Sequence, residues 1–313
     1  MNLPKRDEIL HVIDTLVTKY LRGKIKAVEL SVIALLSGGH ILLEDIPGLG
    51  KTTLALALSG ALGLSFGRIQ CTSDLMPSDI TGLSIFNREE SLFKFIKGPI
   101  FNNIVLMDEI NRAMPKTQSA MLEAMEERRV TVEGTTYQLP SPFLVIATQN
   151  PMEQVGTYRL PESQMDRFLI RTGIGYPTGS VEKAIIKGGS IRDEIKNMQA
   201  LVSSEDILAA QKFVKEEIYI SDKIVDYIFQ LVTETRKHSP ILSGISTRGG
   251  INIADSAKAH AFLKGRNYVI PEDVKAVAVP VGAHRLVLKM ENEDLNKEEL
   301  LDSVLKNIAV PLV

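Results

Sequence analysis

Apolar residues recur at three- and four-residue steps from Asp7 to Leu36, the period of a helix that buries one face. After Gly38-Gly39 the texture changes. Short apolar runs at His40–Glu44, Phe66–Thr72, Ile104–Asp108, Phe143–Thr148 and Phe168–Ile174 now alternate with helical stretches. Runs of this length between helices predict crossover units and a parallel sheet covered on both faces. Two segments break the alternation. Ser84–Phe95 and Val130–Leu139, the second turning through Glu133-Gly134, each predict a β-hairpin inserted beside a helix. Beyond about Val181 the strand pattern stops. Ser221–Lys237 places Ile224, Val225, Ile228, Phe229 and Val232 on one helical face, and Thr247–Lys264 is a second helix closed by Gly265. Pro271–His284 begins with proline at a first helical position. The patterning predicts an α/β domain over residues 1–178 and an all-α domain over residues 179–313.

A length of 313 residues suits two domains, and 44% hydrophobic with 24% charged residues is an ordinary globular balance. The formal net charge of −2 carries no overall footprint for nucleic acid. Tryptophan is absent and aromatics make up only 5%, which argues against a stacking platform for single strands. Nucleic acid is therefore not the expected partner. The single cysteine, Cys71, excludes an internal disulfide and a cysteine-based metal site, and reads as a small buried strand residue. The five histidines lack the spacing of a metal cluster, and Met114, Met121 and Met125 recur at helical spacing as core residues. No signal-peptide core follows Lys5 and Arg6. The most apolar stretch, Ala27–Leu43, is broken by Glu29, two glycines and His40, so no membrane span and a cytoplasmic location are expected.

The candidate chemistry begins at Leu36–Thr53, LSGGHILLEDIPGLGKTT, which holds two glycine motifs. LSGGH resembles a transporter signature but precedes the phosphate-loop motif instead of following it, and reads as a helix ending at glycine. The second motif has the right setting: HILLE as a strand, Pro47-Gly48-Leu49-Gly50-Lys51 as a tight loop, and a helix opening at Thr52 and Thr53. Such a loop gathers backbone N–H groups, and the helix dipole adds to their attraction for phosphate. Gly48 and Gly50 allow close backbone approach, Lys51 would neutralise the β- and γ-phosphates, and the Thr52 hydroxyl would ligate Mg²⁺. Asp45 stands where the pattern GxxxxGK[ST] begins with glycine, a turn position that aspartate tolerates.

Downstream, NIVLMDEINRA is an apolar run ending in two acids. Asp108 is placed to hold Mg²⁺ through water, and Glu109 to orient and deprotonate an attacking water. FLVIATQNP ends at Asn150, whose amide would reach the γ-phosphate or the water; the Asn-Pro pair is also a plain turn signal.

These motifs, with DLMPSDITG (Asp74–Gly82), FIKGPIF (Phe95–Phe101), DEINRAMPKTQSAMLEAMEER (Asp108–Arg128) and GTYRLPESQMDRF (Gly156–Phe168), resemble the MoxR branch of the AAA+ ATPases. The resemblance covers nearly the whole first domain. It implies a three-layer αβα P-loop NTPase core with sheet order 5-1-4-3-2, two β-hairpin insertions and a helical lid. It also implies Mg²⁺-dependent hydrolysis of ATP to ADP and phosphate at the subunit interfaces of a ring, usually a hexamer. A chaperone-like role follows, in which client protein complexes are remodelled, matured or assembled with a partner bearing a von Willebrand factor A domain; the client is not named by any residue. A nucleic-acid-dependent motor is the alternative. Residue by residue, Lys51 and Thr52 match Walker A, Asp108 and Glu109 Walker B, and Asn150 sensor 1. Arg167 matches the arginine finger that reaches a neighbour's γ-phosphate, with Arg159 and Arg171 as rivals. Arg248, in GISTRGG, matches sensor 2, coupling the lid to the γ-phosphate of its own subunit. Arg159 stands where proline is usual, and GISTRGG lacks the usual alanine or proline pattern.

Overall fold

Residues 5–153, 155–189, 194, 195 and 197–311 are described in a computed structural model. Strands β1 (Ile41–Glu44), β2 (Phe66–Gln70), β5 (Ile104–Asp108), β8 (Leu144–Gln149) and β9 (Ile170–Thr172) form one parallel sheet in the order β2-β5-β8-β1-β9. Numbered within this sheet alone, the order is 5-1-4-3-2. Alternate residues feed two separate cores, because successive side chains of a strand point to opposite faces. Ile41, Leu43, Ile104 and Leu106 pack with α2 (Ile25–Leu36) and α3 (Lys51–Ala61). Leu42, Val105 and Met107 pack with Met121, Leu122 and Met125 of α4 (Pro115–Glu127). Burial on both faces is why these strands read as continuous apolar runs. Met114, just outside α4, is 41% exposed and does not join the core expected of it. Cys71 is buried, and burial pushes its thiol up to about 12.

The helical stretch before the sheet is in three pieces, not one. α1 (Arg6–Thr15) runs into a π-helical turn at Leu16–Tyr20, and Gly23, at φ 74°, breaks the chain before α2. The hairpins are β3 (Gly82–Asn87) with β4 (Leu92–Lys97), and β6 (Arg129–Val132) with β7 (Thr135–Gln138). Positive φ at Glu133 (50°) and Gly134 (79°) makes the second turn, the backbone that closes a two-residue hairpin without splaying it. The rings of Phe95 and Tyr137 stack at 4.2 Å and join one hairpin to the other.

The C-terminal region packs helices Asp222–Lys237, Thr247–Leu263, Pro271–Gly282 and Lys297–Lys306. Two expectations need correction here. The Asp222–Lys237 helix buries Ile224, Tyr227, Ile228, Leu231 and Val232, whereas Val225 and Phe229 are 47% and 61% exposed. Residues 224, 227, 228, 231 and 232 keep the three-four step of a single stripe; 225 and 229 lie about 100° round the helix. Strands also do not stop at the sheet: β10 (Ile241–Ser243) pairs antiparallel with β11 (Val287–Leu288). Segments this short show no alternation to read.

His40 leads into β1 and is enclosed. Its Nε2–H donates to the Met125 carbonyl (3.1 Å), and its Nδ1 accepts from the Val145 amide (3.0 Å). Burial, helped by the Arg128 guanidinium, lowers its pKa to about 3. His284 is likewise driven well below the ordinary histidine range, by burial and then by Arg285. The native state therefore resists protons that the unfolded chain accepts below about pH 6.5. Stability is fully present above that pH and is lost as pH falls towards the native values. Over the unit from pH 6.5 to 5.5 the loss is expected to be ~1 kcal/mol for each histidine, because the unfolded side chain is already half protonated at the upper limit. Urea midpoints measured across this range should fall with pH, and His40→Gln should flatten the slope by about one proton; an unchanged slope would clear His40 of this role.

Candidate active site

A parallel sheet delivers the carboxyl ends of its strands to one edge, and four candidate elements meet there. β1 ends at Glu44, level with Gln149 of β8, and β5 ends at Asp108, level with Gln70 of β2. Because β5, β8 and β1 are neighbours, Asp108-Glu109, Asn150 and the loop after Asp45 emerge side by side, about 4.8 Å apart per strand.

In that loop Gly48 and Gly50 have φ of 88° and 99°, and a Cβ at either would meet no atom within 4 Å. Backbone conformation, not crowding within the chain, is what requires glycine here. Lys51, Thr52 and Thr53 open α3, whose first N–H groups have no partner inside the helix. Lys51 Nζ donates to the Asp45 carbonyl. Burial lowers the Lys51 pKa, opposed by Asp45, Asp108 and Glu109, so the ammonium sits in the field of all three carboxylates. Asp45 has work of its own: its carboxylate accepts the amides of Ile174 and of Gly175 (3.0 Å) and ties the loop entrance to the segment after β9. Glycine, with no side chain, cannot make that tie.

Asp108 and Glu109 are held by residues that their own motif does not contain. The Arg68 guanidinium lies 2.8 Å from Asp108 Oδ2, and Thr148 Oγ1 donates to Asp108 Oδ1 at 3.4 Å. Thr148 Oγ1 also accepts the Glu109 amide at 2.8 Å. Glu109 adopts φ 58°, ψ 54°, a left-handed conformation that costs a non-glycine residue ~1 kcal/mol or more and aims its side chain away from the strand direction. Its carboxylate accepts from Arg112 at 3.0 Å, and Arg112 also pairs with Glu153 at 3.3 Å. Asn150 Oδ1 accepts the Met152 amide (3.1 Å), so the turn reading of the Asn-Pro pair holds for that oxygen. Arg68 on β2 and Thr148 two residues before Asn150 carry no motif signal; pairing of neighbouring strands alone reveals them.

Beside the loop lies a cavity of about 540 Å³. Pro47 to Gly50 and Thr53 form its floor, Tyr20 and Leu21 one wall, and Tyr176 and Ile185 another. The last belongs to the helix Gly179–Gly188. Apolar and aromatic walls next to a phosphate loop suit a flat, hydrophobic base.

The two arginines sit elsewhere. A second cavity, about 210 Å³, is lined by Gly38 to His40, Glu126, Arg167 and Arg248. Gly38 to His40 precede β1 and Arg167 precedes β9, so this cavity opens at the edge of the sheet opposite the phosphate loop. Glu126 holds both arginines, Oε2 lying 3.4 Å from Arg167 Nε and Oε1 3.1 Å from Arg248 Nη1. Arg248 therefore does not face the phosphate loop of its own chain, as a sensor in cis would. The helix it opens, Thr247–Leu263, packs on α2, and α2 leads into Gly38. Of the rival fingers, Arg159 is exposed, while Arg171 is paired with Glu44 (3.4 Å) and Glu298 (3.6 Å) beside β1.

Residues 40–170 match the family model described as the ATPase family associated with various cellular activities (AAA), and residues 233–304 match the AAA lid domain. The chain is 43% identical over 298 residues to the uncharacterized protein YeaC of Bacillus subtilis, covering 95% of this chain and 93% of that one. It is 39% identical over 309 residues to Chaperone MoxR1 of Mycobacterium tuberculosis, covering 95% and 81% respectively. A crystal structure of a protein assigned as an ATPase in Cytophaga hutchinsonii superposes with a TM-score of 0.88 at 40% identity, covering 98% of this chain and 96% of that one.

Proposed function

The chain belongs to the MoxR family of AAA+ ATPases, and from that premise we propose that it hydrolyses ATP in a ring of identical subunits, at sites completed by the neighbouring copy. One observation carries this reading: the loop, the two acids and Asn150 lie at one edge of the sheet, and Arg167 with Arg248 at the other. A strand of four residues spans ~13 Å, so no side-chain rotation brings Arg167 to its own phosphate loop. A second copy docked head to tail places one chain's arginines against the next chain's loop, and such contacts close into rings when the rotation permits. A hexamer is the form the family resemblance favours. In this reading residues 1–178 carry the nucleotide and residues 179–313 form the lid.

Phosphates would lie on the amides of Gly48 to Thr53 with Lys51 beside them, and the base in the 540 Å³ cavity. The donor set fits Mg²⁺ that arrives with the nucleotide. Among the described residues no cluster of three histidines, cysteines or carboxylates could hold a resident metal, whereas a few oxygens plus water and phosphate suffice for Mg²⁺. Thr52 and Asp108 would hold the ion, which neutralises phosphate charge when bound. Glu109 would take the proton of the attacking water, and the hydroxyl of Thr148 keeps Asp108 and the Glu109 backbone in register. The exposed side chains of the β3–β4 hairpin, Phe86 (49%) and Phe93 (68%) among them, support a protein client, and a von Willebrand factor A-domain partner follows from the family resemblance.

The test is the rate of ATP hydrolysis per subunit against protein concentration, with light scattering in parallel and with DNA added in a second series. The specific rate should rise as rings assemble and ignore DNA. A rate independent of assembly would sink the shared site, and strong, salt-sensitive stimulation by DNA would favour a nucleic-acid motor.

A further inference from the structure

Arg285 is the most enclosed arginine among the described ion pairs, with a side chain only 2% exposed. It follows the helix Pro271–Gly282, in the C-terminal region. A guanidinium has five N–H donors in a fixed fork, and all five are engaged. Nε donates to Asp166 Oδ1 (2.7 Å), and Nη2 to the carbonyls of Asp166 (3.1 Å) and Phe168 (2.8 Å). Nη1 donates to the carbonyls of Leu169 (3.2 Å) and Val281, and lies 2.8 Å from Nε2 of the adjacent His284. Four of the six contacts thus go to Asp166–Leu169, the segment that carries Arg167. The same His284 nitrogen lies 3.0 Å from Phe168 O, so this histidine packs against the segment as well.

We propose that Arg285 is a positioning residue for Arg167: it bolts the backbone on both sides of the finger to the lid, so that the arginine one subunit offers its neighbour takes its place from the subunit's own lid. The inference rests on the trans role of Arg167 proposed above. Arg167 itself is 32% exposed and, among the described residues, is ion-paired with Glu126, a contact that must yield to a phosphate. Its placement therefore comes from its neighbours in sequence. Packing alone does not explain them, since a buried ion pair is often no more stabilising than apolar residues of the same volume. What the fork adds is direction, because four bonds to Asp166, Phe168 and Leu169 fix both the position and the orientation of the segment. Lysine, with three donors on a flexible stem, cannot reproduce that set. The lid holds the finger a second time through Arg248 and the shared carboxylate of Glu126.

Arg285→Lys, and Asp166→Asn as a milder variant that keeps the backbone contacts, test the proposal in mixed rings. Each should bind ATP with wild-type Kd, since its phosphate loop is intact, yet hydrolyse it at least ~10-fold more slowly as a homomer, a part of the ~10³-fold that a finger supplies. Mixed with Lys51→Ala subunits, which keep a working finger, each should recover to roughly a quarter of the wild-type rate, because half the loops and half the fingers remain sound. Mixed with Arg167→Ala subunits, neither should recover. Recovery with Arg167→Ala instead, weakened ATP binding, or a wild-type homomeric rate for both variants would overturn the proposal. Arg167→Ala mixed with Lys51→Ala is the control. If that pair stays inactive in demonstrably mixed rings, the trans reading fails and this inference with it; if that pair recovers while the Arg285 and Asp166 variants do not, this inference alone fails.

Discussion

Arg167→Ala should leave the nucleotide Kd unchanged and slow the hydrolytic step by ~10³-fold or more, the range measured for arginines that reach a transferring phosphoryl group from a partner. The geometry explains both halves of the expectation. The guanidinium lies across the sheet from its own loop, so its removal subtracts nothing from the cavity that holds the nucleotide. In the proposed ring it acts on the neighbour, where negative charge spreads over the γ-phosphate oxygens as the bond breaks. A donor aimed at that charge stabilises the transition state more than the bound ground state, and the loss appears in kcat. Single-turnover rates in assembled rings, with binding titrated separately, check this. A loss below ~10-fold, or one shared equally with binding, would remove Arg167 from the role.

Glu109→Gln should be nearly as severe, with hydrolysis down ~10²- to 10⁴-fold, the range for removing a positioned general base, and ATP still bound. Glutamine keeps the shape and the left-handed backbone at φ 58°, and its amide can still meet Arg112, but it cannot take a proton. Undiminished turnover would exclude Glu109 as the base. The two lesions differ in address. If Glu109 serves the loop of its own chain and Arg167 the loop of the next, as proposed, mixing these two inactive variants should restore activity at those interfaces where a subunit that keeps Glu109 meets a neighbour that keeps Arg167.

Much of this was legible in the order of residues, for local reasons. Strands buried on both faces announce themselves as apolar runs, and a phosphate loop is a strand, a glycine turn and a helix in succession, so Ile41–Glu44 through Lys51 can be read within a dozen residues. Asp108 and Glu109 end an apolar strand, and that too is local. What stayed hidden depends on contacts between distant segments. Arg68, Thr148 and Glu126 matter because of the strands and helices they face, and no spacing announces that. Arg285 sits more than a hundred residues from the segment it holds. Arg248 could be matched to a motif, but which edge of the sheet its helix begins at is decided by packing on α2. Val225 and Phe229 show the same limit at smaller scale: apolar residues on a helix do not say which way it is turned when five of them span more than one face.

The division of the sheet into two unlike edges has a consequence for any assembly of this chain. If sites are shared as proposed, each copy has an end that receives and an end that gives, so a row of copies has polarity, as an arrow does. A row of n copies that fails to close holds only n − 1 complete sites, with one unused loop at its head and one idle arginine at its tail. Closure supplies the last site without adding a subunit. A population of open arcs and closed rings of equal mass would then differ in activity per chain, most sharply for the smallest assemblies.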